Sequence, residues 1–598
     1  MDRDRETGTP PYSATGPLAT RLDRRTLGRG AAGVAAGAAG LRLLPGVGTL
    51  SASAAGASVA ALAQDLPADA APPEQQIWRQ ATDPTFAKYV DFYEQVYERV
   101  VPADLFSDPL VRLTKDFEIV PAAALEWSGS EDGRTWTFGL DPNLVWSDEN
   151  PVTANDWVAT FRYAADPAHA WDFTWFWSPV IKGFAEAVEG TVPPDQIGVR
   201  QGATPQELII ETVDPAPYLP AMLLYSLPLS AAALERSGPL YNTNPETAVS
   251  SGPFILSEWV RDQYVVYERN PSYRGTLEVP IQRVVAKLAA PTTHFSLYES
   301  GEIDFMANPA PAELEIMQSD PELAKEIYQG VGDFRVDYLF FDVTKAPFDN
   351  LQVRQAFSHV VDRDTIKEQI LGPIGNPAYS FLAPGFPASN MEAYQDIQGF
   401  NPELAKQLLA EAGFPNGEGF PKQELWLRAP TPVDSAVAGA IASMLKQHLN
   451  IDVEISAKDQ KLFTDALNAK PTEILFGYVS YGMDYLDPSN MLGVWSGGRH
   501  SWSNPDFDAK LKEATTFLGD PAQRIAMFQE AERILVEDVP GVFVYYRTPV
   551  QFIKPYVKGA ALEPDKNGVT AIHWPEYTTM STVPAELYIG ADAPPDRS

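Results

Sequence analysis

"QELWLRAPTPVDSAVAGAIASMLKQHLNIDVEISAKDQKLFTDALNAKPTEILFGYV" (residues 423–479) is the stretch on which the fold turns. In "QELWLRA", Leu425 and Leu427 alternate with other residues and line one face of a strand. Val437, Ile441, Met444, Leu445 and His448 or Leu449 then recur at helical spacing. "IDVEIS" alternates Ile451, Val453 and Ile455, which predicts a second strand with those three on one face. "DQKLFTDALNAK" reads as a short helix with Leu462, Phe463, Ala466 and Leu467 apolar, and "EILFGYV" as a third strand. Strand–helix–strand–helix–strand at this spacing predicts parallel strands joined by right-handed crossovers, an α/β arrangement. Such sheets bind ligands beyond the carboxyl ends of their strands. The segment after the third strand, "SYGMDYLDPSN" (480–490), is therefore the candidate binding loop.

Working outward, two helices flank this core. "NPELAKQLLAEAG" places Asn401 at the N-cap, Pro402 at the first helical position and Gly413 past the end. "DPAQRIAMFQEAERIL" has Asp520 as cap, Pro521 next and Gln523 at the capping-box position. Nearer the N-terminus, "GRTWTFGL", "ELIIETV" (207–213) and "QYVVYE" (263–268) read as further strands. Residues 64–76, "QDLPADAAPPEQQ", form a proline-rich linker.

Ahead of the linker stands "DRRTLGRGAAGVAAGAAG" (23–40). Alanine and glycine bury little area, so this is a poor core element, but its order suits export. A basic region with Arg24 and Arg25 precedes a mildly apolar stretch, and Ala61-Leu62-Ala63 fits an A-x-A cleavage site. Arg24-Arg25-Thr26-Leu27 resembles the twin-arginine export signal, with Gly28 where that pattern usually has a bulky residue. Residues 43–64 carry no charge. Their Ala, Ser, Gly and Pro content argues against a stable span, which wants about 20 predominantly apolar residues. The reading is a signal peptide over 1–63 and an exported, soluble protein, unless this segment stays attached as an anchor.

Composition narrows the partners. The chain has 598 residues, enough for two or three domains, and a formal net charge of −34. The first 63 residues hold seven Arg against four Asp or Glu, so the remainder carries −37. Such a chain repels phosphate backbones, so no nucleic-acid partner is expected. With no cysteine, disulfides, thiolate catalysis and thiolate metal sites are excluded, as is a lipid-modified N-terminal cysteine. The six histidines, at 169, 294, 359, 448, 500 and 573, lack ligand spacing. Neither a metal nor a cofactor is expected.

Seven blocks in order carry a resemblance. They are "EDGRTWTFGL" (131–140), "VWSDENPVTANDWVATFRYAADP" (145–167), "SSGPFIL" (250–256), "YERNPSYRG" (267–275), "FFDVTKAPFDNLQVRQAFSHVVDRDTI" (340–366), "FNPELAKQLLAEAGFPNG" (400–417) and "DYLDPSN" (484–490). From about residue 90 to 546 the chain resembles the extracytoplasmic solute-binding proteins of peptide-type ABC importers, the oligopeptide- and dipeptide-binding family (family 5). It departs at Glu149-Asn150, where the family commonly has a glycine and its neighbour.

The resemblance implies a class II periplasmic-binding-protein fold, α/β, of two lobes with a cleft and an extra subdomain. It implies a large lobe over 77–335, a second lobe over 336–545 and a return to the large lobe over 546–598. It further implies a non-enzymatic monomer that closes on a peptide or similar solute by hinge motion and delivers it to ABC-transporter permease subunits. In peptide-binding members, the aspartate before the tyrosine of the D-Y-x-x-P block meets the ligand's α-amine, and the matching position is Asp484. Tyr481, Tyr485 and Trp495 surround it in sequence and Trp426 sits on the neighbouring strand, so these four are candidate ligand walls. Asp487, before Pro488, reads as a structural turn residue. The Trp-rich "WDFTWFWSP" (171–179) raises an oligosaccharide ligand as an alternative, although the resemblance assigns that region to packing in the large lobe. Nickel or haem delivery is a further alternative, which the scattered histidines disfavour. A secreted hydrolase is the alternative from another class, and neither G-x-S-x-G nor H-E-x-x-H occurs.

Overall fold

A computed structural model describes residues 66–96, 98, 105–114, 116–330, 332–563 and 587–597. The segment that the sequence suggests is an export signal, with Arg24, Arg25, Ala61 and Ala63, lies outside these residues. The chain divides into two compact units, one of them Asp333–Thr548 and the other built from the described residues up to 332 and from 549 onward.

The larger unit carries two four-stranded sheets. β1 (Ile77–Thr82) belongs to the first, and β2 (Ala124–Gly129), β3 (Thr135–Leu140), β4 (Val199–Gln201) and β5 (Glu207–Glu211) make the second, in the order β2-β3-β5-β4. α1 (Ala154–Ala165) starts at Thr153, whose backbone N–H donates to Asp156 Oδ2 at 2.8 Å. β6 (Phe254–Val260), β7 (Tyr264–Arg269) and β8 (Arg283–Leu288) complete the first sheet in the order β1-β8-β7-β6. Its core includes Trp78, Phe254, Val265, Tyr267 and Val284. The "WDFTWFWSP" cluster is mostly interior: Trp171, Phe173, Phe176 and Trp177 are buried, and only Trp175 among its tryptophans is exposed. β9 (Phe305–Ala307) and β10 (Ile327–Gln329) follow before the chain enters the smaller unit.

The smaller unit is built around β11 (Val336–Phe341), whose six residues are all buried. α2 (Leu351–His359), β12 (Gly375–Pro377) and α3 (Pro402–Glu411) come next. Asn401 caps α3 by accepting from Leu404 N, and Gly413 past its end has φ +98°, a conformation glycine adopts without steric cost. β13 (Gln423–Arg428), α4 (Pro432–Leu449), β14 (Val453–Lys458), α5 (Gln460–Asn468) and β15 (Phe476–Tyr481) then occur in the order the sequence predicts. α6 (Pro488–Gly493), α7 (Pro505–Thr516), α8 (Pro521–Asp538) and β16 (Gly541–Arg547) complete the unit. Its sheet runs β12-β16-β11-β15-β13-β14. β13 pairs parallel with β14 and with β15, as expected, but β11 is antiparallel to both of its neighbours, so the sheet is mixed. One face packs Leu339, Phe341, Leu425, Leu427 and Phe476 against Phe357, Leu409, Val437, Ile441 and Leu445 of the helices.

Two apolar side chains of these elements stay at the surface. Ile455 is 39% exposed and Leu462 49% exposed. β14 is the outermost strand, so the apolar cover that buries Ile451 does not reach the far part of its alternating pattern. On α5, Phe463, Ala466 and Leu467 fill the buried stripe and leave Leu462 outside it. After the chain leaves this unit, β17 (Val550–Ile553) pairs antiparallel between β9 and β10.

Candidate functional site

The carboxyl ends of β13 and β15 lie side by side because these strands are parallel, and the antiparallel β11 brings its amino end to the same edge. β16 ends there as well, its Arg547 N donating to Arg335 O. The loop after β15 is held by close backbone approach. Met483 N donates to Asp333 O at 2.8 Å, and a Cβ on Gly482 would lie 1.9 Å from Asp333 Oδ2. Any larger residue at 482 would have to displace the Asp333 carboxylate. Asp333 in turn pairs with Arg335 at 2.6 Å, both side chains being buried.

Asp484 stands two residues further on and is 3% exposed. Its N–H donates to Asn490 Oδ1 at 2.8 Å. Its Oδ2 accepts from Tyr481 Oη at 2.5 Å and from Asn490 Nδ2 at 2.8 Å. Its Oδ1 accepts no hydrogen bond from the described residues. Burial pushes this carboxyl above the usual aspartate range, while the hydrogen bonds from Tyr481 and Asn490 and the charge of Arg335 pull it down.

Asp487 has a different task. It caps α6 by accepting from Ser489 N, and it receives both Nη groups of Arg524 at 2.6 and 2.9 Å. Both partners are at most 5% exposed. Asp487 is thus a structural anchor, as its place before proline suggests.

The aromatic candidates separate. Tyr481 touches Asp484 through its hydroxyl, and Tyr485 is buried with its hydroxyl 3.4 Å from Ser489 Oγ. Trp495 is fully buried among Tyr338, Phe381, His500 and Trp502, so the expected ligand wall is a core side chain. Its bulk explains the place it takes: Gly541 opposite it has no room for a Cβ, which would lie 2.6 Å from the indole. Trp426 is half-buried on β13, in register with Gly477 rather than with the loop, and carries the Lys458 ammonium 4.1 Å from its ring centroid. The structure therefore brings Tyr481, Tyr485 and Asp484 into one loop and leaves Trp426 and Trp495 apart from it.

Asn490, Asp333, Arg335, Gly482 and Arg524 were not visible as site residues in the sequence. Asn490 lies six positions after Asp484 and could have been sought as a local partner; Arg335 and Arg524 come from distant segments and leave no local signal. Asp337, buried in β11, receives Arg547 at 2.7 and 2.8 Å, and Arg547 also approaches Asp434 at 3.4 Å. Burial raises the Asp337 carboxyl and Arg547 opposes the rise. The edge thus gathers Arg335, Arg428 and Arg547 against Asp333, Asp337, Asp434 and Asp484, a balance that favours a cationic ligand group. Among the described residues, no group of three or more His, Asp or Glu could hold a metal ion, and no helix is long and apolar enough to cross a membrane.

Comparison with known proteins agrees with this architecture. The profile of bacterial extracellular solute-binding proteins, family 5 (middle region), matches residues 118–503. The periplasmic oligopeptide-binding protein OppA of Escherichia coli (strain K12) is 29% identical over 531 residues, covering 87% of this chain and 95% of OppA. The probable deoxycholate-binding periplasmic protein YgiS of the same organism is 28% identical over 520 residues, covering 84% and 93%. Among solved structures, the unliganded open form of the periplasmic murein tripeptide binding protein MppA superposes with a TM-score of 0.68. It is 26% identical and covers 88% of this chain and 99% of MppA.

Proposed function

The chain belongs to the bacterial extracellular solute-binding proteins of family 5 and has their α/β periplasmic-binding-protein fold, and from that premise we propose that it captures peptides by their free α-amine. It hands them to the permease of an ABC transporter. The observation that carries this reading is the state of Asp484: a 97%-buried carboxylate with Oδ2 tied down and Oδ1 without a donor among the described residues. Burying a charge costs several kcal/mol unless it is paired. A peptide ammonium supplies that pairing with up to three N–H donors, at an edge whose charges favour a cation. The ligand relatives suggest the same class, since OppA is named for oligopeptides and MppA for a murein tripeptide. A sugar would need aromatic platforms, and the leading tryptophan candidate, Trp495, is interior.

The protein binds without turnover and acts as a monomer. On this reading the twin-arginine leader exports the chain already folded, which a protein without cysteine can complete without oxidation, and cleavage after Ala63 then releases it.

Asp484→Ala is the direct test. Calorimetry should show a peptide with a free N-terminus losing about 30- to 1,000-fold in affinity, the cost of unpairing a buried charged group. The same peptide N-acetylated should change little. In the wild type, free-amine binding should weaken on acidification at a higher pH than for an ordinary aspartate, because protonation removes the charge the ammonium meets. Equal loss for both peptides, or none for either, removes the role.

A further inference from the structure

Two side chains converge on a single oxygen of Asp484. Tyr481 Oη and Asn490 Nδ2 both donate to Oδ2, at 2.5 and 2.8 Å, and Asn490 Oδ1 also accepts the Asp484 N–H at 2.8 Å. Asn490 therefore grips the backbone and the carboxylate of one residue at once. The final torsion of an aspartate is broad and nearly two-fold, so an unrestrained carboxylate presents either oxygen in many orientations. Donors confined to Oδ2 remove that freedom and leave Oδ1 as the single acceptor on offer.

Both donors stand on firm supports. Tyr481 is the last residue of β15, a strand paired on both sides. Asn490 lies in α6, whose start is fixed by the Asp487 cap and the Asp487–Arg524 ion pair. We propose that Tyr481 and Asn490 are positioning residues for amine capture: they pin Asp484 Oδ2 so that Oδ1 receives the ligand ammonium. Tyr481 then serves through its hydroxyl, not as an aromatic wall. The inference rests on the amine reading above and adds the residues that set its geometry. The same two bonds favour the ionised carboxylate against the effect of burial, so they prepare both the direction and the charge of the acceptor.

Tyr481→Phe and Asn490→Ala test this, with thermal midpoints, against a free-amine peptide and its N-acetylated twin over a pH series. Tyr481→Phe removes one oxygen and keeps the ring, so it remains informative if Asn490→Ala does not fold. Each folded variant should bind the free-amine peptide roughly 10-fold more weakly, one hydrogen bond to a charged group. The acetylated peptide should be unaffected, and the pH at which free-amine binding is half lost should move upward. In an Asp484→Ala background, Tyr481→Phe should have no further effect on either peptide. Tyr481→Phe with wild-type preference and an unmoved pH profile overturns the positioning role, as does equal weakening of both peptides. A wild type that does not distinguish the two peptides overturns the amine reading itself. Loss of discrimination in Asp484→Ala, with discrimination intact in Tyr481→Phe and Asn490→Ala, overturns the positioning role alone.

Discussion

Arg524→Ala is expected to destabilise the 333–548 unit by about 3–5 kcal/mol, the usual cost of removing one partner of a buried ion pair. Its guanidinium meets both oxygens of Asp487 and donates from Nε to Ala514 O at 2.9 Å. Asp487 is 1% exposed at the start of α6, so removing Arg524 leaves a charge in the interior without its counter-charge. Ser489 supplies it two hydrogen bonds but no counter-charge. A lowered melting temperature would accompany faster hydrogen exchange over 482–495, because α6 and the Asp484 loop share this anchor. The pairing also predicts a pattern. Asp487→Asn with Arg524→Met should cost less than the sum of the two single changes, since the double variant leaves no bare charge. A loss below about 1 kcal/mol for Arg524→Ala is the behaviour of exposed pairs and would contradict this account.

Trp495→Ala is expected to cost a similar 3–5 kcal/mol, by opening a cavity in a core that cannot collapse around it. The indole lies 4.9 Å from His500, 5.3 Å from Tyr338 and 5.6 Å from Phe381, centroid to centroid. The neighbouring His500 is fully buried, which holds its imidazole well below the usual histidine range. Chemical denaturation should report the loss, while the affinity of the remaining folded protein for a free-amine peptide should fall far less than in Asp484→Ala. Trp495→Phe, which refills part of the space, should recover part of the stability. Retained stability with a large loss of affinity would instead mark Trp495 as a ligand wall.

These two side chains show where local sequence stops being informative. Periodicity and caps are local properties, so β13, α4, β14, α5 and β15 were legible, as were the starts of α3 and α8 at Asn401 and Asp520. The antiparallel strands at the middle of the same sheet come from residues 336–341 and 541–547, far from that pattern, and the mixed character stayed hidden. Ile455 and Leu462 fit their elements yet stay exposed, because burial depends on which neighbour covers a strand or helix. Asp484 was found through a family motif; its partner Asn490 was within reach of the same loop, whereas Arg335 and Arg524 become neighbours only after folding. Trp495 shows the limit most directly: an aromatic close in sequence to a candidate binding loop can equally be packed into the core.

The central claim is that this protein is a peptide receptor and not a sugar receptor or a hydrolase. The most direct measurement is thermal stability of the purified full chain against separate peptide and oligosaccharide mixtures, with the bound species then recovered by mass spectrometry. Ligand binding to the native state alone raises stability by about 2.7 kcal/mol at 100 times Kd, which is readily seen as a shift. The account predicts a shift with peptides carrying a free N-terminus, none with oligosaccharides, and recovery of the peptides intact. A shift with oligosaccharides alone, or recovery of cleaved peptides, would contradict it.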